Sequence, residues 1–138
     1  MTSKLLNLTI CALLVQFVSS CAAQLSEQCR QIKVADSIMT ESFYAHEKET
    51  DPKKKSELLS QSFRERAKVV RNLSLSDSYL KNIQEKLIKN KEGFADSAGF
   101  EETTIAGFEE TIRLADETIR LANESKAISN DLKNYCQS

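Results

Sequence analysis

Apolar side chains along this chain recur at three- and four-residue spacing over long stretches, with polar positions between them. That is the period of a helix with one buried face. Alternation at every second residue, which would announce strands, is absent. The first such stretch runs from Ser26 to Glu47, with Cys29, Ile32, Val34, Ala35, Ile38, Met39, Phe43 and His46 on the repeat. It predicts one helix. Asp51-Pro52 follows as a start signal, because Asp caps free helical N–H groups and Pro fits the first helical position, where its missing N–H is not needed. The second helix is expected over Pro52–Asn72, with Leu58, Leu59, Phe63, Ala67, Val70 and Leu73 as its stripe. Ser76 and Asp77 are candidate caps for a third, Ser78–Ala95, carrying Tyr79, Leu80, Ile83, Leu87, Ile88 and Phe94. Gly93 and Gly99 bracket its end.

The last stretch, Phe100–Tyr135, contains a local repeat. Gly99-Phe-Glu-Glu-Thr-Thr-Ile is echoed from Gly107, and Thr111-Ile-Arg-Leu-Ala returns as Thr118-Ile-Arg-Leu-Ala. Ile112 and Ile119 thus share a face, as do Leu114, Leu121 and Ile128. A seven-residue return suits helix-on-helix packing. Phe100 and Phe108 are expected in the core, and Gly107 marks a kink or a close crossing. Four amphipathic segments with short connections predict an all-α, antiparallel up-down four-helix bundle.

Ahead of the bundle lies a different pattern. Lys4 is followed by an apolar run, Leu5–Val18, and then by Ser19, Ser20, Cys21, Ala22 and Ala23. A charged start, an apolar centre and small residues at the end are the parts of a secretory signal peptide. The run is shorter than the roughly 20 residues of a membrane span. Two cleavage positions fit. Val18-Ser19-Ser20-Cys21 resembles a lipobox, which would make Cys21 the first mature residue and carry a lipid on its thiol. Cleavage after Ala23 would leave an unmodified Gln24 start. The chain therefore divides into a leader, 1–23, and a helical domain, 24–138.

Export changes the meaning of the cysteines. Cys11 is lost with the leader, and Cys21 is lost or lipidated. Cys29 and Cys136 remain, and in an oxidising compartment they are expected to pair. An up-down bundle brings the start of its first helix beside the end of its last, where these two residues stand. The loop closed is long, and the chain-entropy model assigns such a bridge roughly 4 to 5 kcal/mol.

Charge excludes one class of partner. The leader holds one of the 19 basic side chains and none of the 20 acidic ones, so the domain is slightly acidic. Nucleic acid calls for a clustered basic surface instead. Lys53, Lys54 and Lys55 form a short basic run at a helix start, read as a solvated face. Glu101, Glu102, Glu109, Glu110, Asp116 and Glu117 make the last helix acidic early on, and are read as its outward side. Asn72-Leu-Ser and Asn123-Glu-Ser match the glycosylation sequon, which has meaning only in a eukaryotic host.

Catalytic patterns are sparse. His46 is the single histidine and is placed at a helix boundary. Glu-x-x-His pairs of the kind that hold metals in bundles do not occur, nor does a glycine-rich phosphate loop. No catalytic residue, metal or cofactor is expected. Cys29 after the leader, Leu75-Ser-Asp-Ser-Tyr-Leu opening a mid-chain helix, and Asn134-Tyr-Cys at the end resemble small exported helical proteins of cyanobacteria and related bacteria. That resemblance spans most of the domain and implies an exported helical fold without catalytic residues. Exported plant inhibitors of invertase and pectin methylesterase are also four-helix proteins, but this chain lacks their paired N-terminal cysteines. The expected function is non-catalytic: an exported protein, lipid-anchored at Cys21, acting by contact with a protein partner at a membrane surface. The alternative is a bundle that binds a small ligand or cation.

Overall fold

Thr40 interrupts the first predicted helix. Its side chain accepts a hydrogen bond from the Phe43 N–H and caps a new helix. The computed structural model describes residues 21–98 and 106–137, and its first arm is accordingly two helices, α1 (21–37) and α2 (Glu41–Lys48), separated by residues 38–40. The single helix expected over Ser26–Glu47 is thus corrected. Ile38 and Met39 continue the apolar spacing but lie in the break, exposed. Val34 is exposed as well.

The remaining helices follow their start signals. In α3 (Pro52–Arg71), Asp51 accepts from the Lys54 N–H at 2.8 Å, with Pro52 next to it. In α4 (Ser78–Ala98), Asp77 accepts from the Leu80 N–H at 2.8 Å. The last helix, α5, spans Ala106–Tyr135. Gly93, expected at a fraying end, sits inside α4. The leader residues 1–20 and the expectations for Gly99, Phe100, Glu101, Glu102, Gly107, Phe108 and Glu109 lie outside the described residues and side chains.

The protein is an antiparallel up-down four-helix bundle whose first arm is the broken α1–α2 pair. α3 packs on α2 and α4, and α4 on α5. One core cluster runs through the disulfide half. Ile32 and Ala35 from α1 meet Val70 from α3, Leu80, Ile83 and Leu87 from α4, and Ile128 and Leu132 from α5. Each such Val, Leu or Ile side chain, removed fully from water, contributes ~1.5–3 kcal/mol. Cys29 and Cys136 are bonded, with Cα atoms 5.9 Å apart, and tie α1 to the end of α5 as expected.

Two polar junctions fix how the helices meet. Gln28 on α1 is buried, and its Oε1 accepts from the backbone N–H groups of Ser76 (2.6 Å) and Asp77 (3.0 Å). Its Nε2 donates to Ser76 Oγ at 3.0 Å. One side chain thereby satisfies donors that the α3–α4 connection would otherwise leave unpaired. At the α4–α5 crossing, Asn90 Nδ2 donates to the Leu121 carbonyl at 2.8 Å. One turn on, a Cβ built on Gly93 would lie 2.7 Å from Leu121 Cδ2, so glycine is what lets α5 approach there.

Candidate interaction surface

The repeat in α5 sets two apolar rows on opposite sides. Two residues along a helix are ~200° apart, so Ile112 cannot share a face with Leu114, nor Ile119 with Leu121. Leu121, Ile128 and Leu132 are buried, and Leu114 is half-buried against α4. Ile112 and Ile119 are left 49% and 60% exposed. Ala115 and Ala122 are exposed between and beyond them. The four residues form a stripe with spacing three, four, three on the side of α5 turned away from the core.

The borders of this stripe mix neutral and charged residues. Thr111, Thr118 and Asn123 are exposed beside it. Of the acidic residues expected on the outward side, Asp116 is exposed there beside Ala115, whereas Glu110 and Glu117 are turned away from the stripe. Glu110 and Glu117 are partly covered, and each is gripped by an arginine three residues on. Arg113 Nε donates to Glu110 at 2.7 Å, and Arg120 donates to Glu117 at 2.8 and 2.6 Å. These guanidinium hydrogen bonds hold both carboxyls below their ordinary pKa. Asp116 and, further along, Lys126 are exposed, and among the described residues neither has an ion-pair partner.

Most other residues singled out by their chemistry lie apart from the stripe, Asn123 excepted. Cys21 is exposed and unpaired on α1. It borders a groove of about 270 Å³ with Gln24, Leu25, Gln28, Ser76 and Asp77, at the end of the bundle that holds the disulfide. His46 is half-buried at the end of α2, its Nδ1 3.0 Å from the Lys55 carbonyl oxygen. Lys53, Lys54 and Lys55 are exposed on the first turn of α3, where Lys54 meets Glu49 at 3.1 Å. Asn72 and Asn123 are both exposed. No group of three or more His, Cys, Asp or Glu among the described residues is placed to hold a metal. No described helix is long and apolar enough to cross a membrane.

One charged cluster inside the bundle had no counterpart in the sequence reading. The Lys91 side chain on α4 is 6% exposed, and its Nζ donates to Asp36 Oδ1 at 2.6 Å. Arg66 on α3 donates to the Asp36 carbonyl at 2.8 Å, while its own Nε is buried without a partner. Two cations thus converge on the C-terminal turn of α1, where a helix carries partial negative charge. Burial lowers the Lys91 pKa from its ordinary value, and Asp36 offsets only part of that. At the disulfide end, Tyr135 stacks on Tyr79 with ring centres 4.2 Å apart and donates to Asp77 at 3.0 Å. That hydrogen bond raises the Tyr135 pKa.

Comparison with protein-family models, with curated proteins and with solved structures finds no match.

Proposed function

We propose that this chain is an exported, non-catalytic helical-bundle protein, held at a membrane surface by lipid on Cys21, that works through protein–protein contact along the outward face of α5. The observation that carries the proposal is the Ile112–Ala115–Ile119–Ala122 stripe. Ile112 and Ile119 stand largely in water on a helix whose opposite side buries Leu121, Ile128 and Leu132. Aliphatic side chains lined up in water on one helix face are a candidate contact for a second surface.

Export supports the rest of the reading. The leader pattern and the Cys29–Cys136 bond suit a protein outside the reducing cytosol, and the exposed Cys21 thiol is accessible to a lipid. Cys21 also stands on the first described turn of α1, at the end of the bundle, where an attached lipid would not disturb the core.

A photo-crosslinking residue at position 119, in the protein as it is exported by its host, tests the contact. Covalent adducts with protein are expected, and they should disappear when Ile112 is also changed to Glu. Solvent-quenched product alone would refute the contact. Cys21→Ser should release the protein from the membrane fraction, and unchanged membrane retention would refute the anchor.

A further inference from the structure

The α5 stripe extends further than its four apolar members, and its composition specifies a partner. On a seven-residue repeat, the outward positions fall into two series. Ile112, Ile119 and Lys126 form one, and Ala115, Ala122 and Ser129 form the other, three residues behind each. All six are exposed. Between Ile112 and Ser129 the first series is long and the second is small.

We infer that the occupant of this face is a second copy of the same chain, paired antiparallel about a twofold axis beside Arg120 and Leu121. The inference rests on the protein-contact reading above and names its partner. In an antiparallel helix pair, members of one series meet members of the other across the seam. Ile119 then packs on the partner's Ala122, Ile112 on the partner's Ser129, and Lys126 on the partner's Ala115. Each contact sets a long side chain against a small one, so the seam has uniform width and the helices approach closely. A parallel pair would set Ile on Ile and Ala on Ala, alternately too wide and too narrow.

Charge selects the same arrangement. Asp116 adjoins Ala115, so the antiparallel register brings it beside the partner's Lys126. The twofold axis repeats that pair, as a self-complementary interface must. Both residues are exposed and lack ion-pair partners among the described residues of their own chain. In the parallel arrangement Lys126 would face the partner's Lys126. Arg120, near the axis, is already neutralised by Glu117 and Glu124.

The size of the face sets the strength. From Ile112 to Ser129 it is ~26 Å long and one helix, ~10 Å, wide. That is well short of the ~800 Å² per partner of a standard stable interface, so a dissociation constant of about 10–500 μM is expected. Two copies anchored through Cys21 in one bilayer would lie along its surface, because the pairing sets their anchored ends in opposite directions.

Sedimentation equilibrium of the protein purified from the exported fraction, from about 5 μM to 1 mM, tests the inference. A monomer–dimer equilibrium is expected. Ile119→Glu should abolish dimers over the whole range. Asp116→Lys alone and Lys126→Asp alone should each weaken association by about tenfold, since each converts two attractive contacts into repulsive ones. The double variant should restore it to within about threefold. All these positions are exposed, and unchanged circular dichroism and melting will show that the variants fold. A wild type that stays monomeric at 1 mM, or a double variant no better than either single one, overturns the second copy as occupant. Adducts at position 119 with a different protein, from a chain that stays monomeric, would leave the protein-contact reading standing and refute this inference alone.

Discussion

The bond between Cys29 and Cys136 joins the two ends of the helical domain. The pair closes a loop of 107 residues, nearly the whole domain. In the chain-entropy model, the reduced unfolded chain recovers ~16 cal/mol/K, which is ~4.8 kcal/mol at room temperature. Real unfolded chains keep some compactness, so that figure is an upper bound. A domain of about 115 residues unfolds with an entropy near 0.24 kcal/mol/K, and the loss converts to a drop in Tm of up to about 20 °C. Cys29 is buried in the main core cluster, so Cys29→Ala/Cys136→Ala avoids leaving a buried hydroxyl or thiol. Thermal melts followed by circular dichroism should place this variant 10–20 °C below the oxidised wild type, with the reduced wild type near the variant. Amide exchange should rise first around Cys29–Ala35 and Ile128–Tyr135, the segments that the bond holds together. A drop under about 3 °C would refute the reasoning, because the chain ends would then be held by packing alone.

Other residues give sharper local tests. Asp36→Asn strands the Lys91 ammonium, and should cost about 2–4 kcal/mol in urea unfolding, with Asp36→Asn/Lys91→Met recovering most of it. Because burial lowers the Lys91 pKa, the unfolded chain holds more protons than the folded one as pH approaches 10.5. Wild-type stability should therefore rise relative to Lys91→Met between neutral pH and 10.5, and an unchanged difference in parallel urea titrations would contradict this. Gly93→Ala gains ~1 kcal/mol of helix propensity but must displace Leu121. A net loss of about 1 kcal/mol in chemical denaturation is expected, and a stabilised variant would show that the crossing does not need glycine. Asp51→Ala removes the α3 cap and should cost ~1 kcal/mol by the same measurement.

Much of the fold was legible because its signals are local. Asp51-Pro52 and Asp77 act on N–H groups within three residues, so their sequence neighbours suffice to place the helix starts. The disulfide was legible by a different route, since topology and export each pointed to the same two cysteines. The break at residues 38–40 was hidden because Ile38 and Met39 keep the helical spacing, although Thr40 followed by Glu41 carried a cap signal. The outward stripe of α5 was visible as a repeat but not as a surface. Periodicity reveals two apolar rows, Ile112/Ile119 and Leu114/Leu121/Ile128, and only packing against α4 decides which is buried. Lys91 was illegible for a related reason. It reads like its neighbour Lys89, and burial of one but not the other depends on where α1 ends.

Intact mass of the protein recovered from the exported fraction tests the central claim most directly. The expected species begins at a lipid-modified Cys21 and is two protons lighter than its fully reduced form, with Cys29 and Cys136 joined. A species that begins at Gln24 would remove the anchor, and one that begins at Met1 with all thiols reduced would contradict the account as a whole.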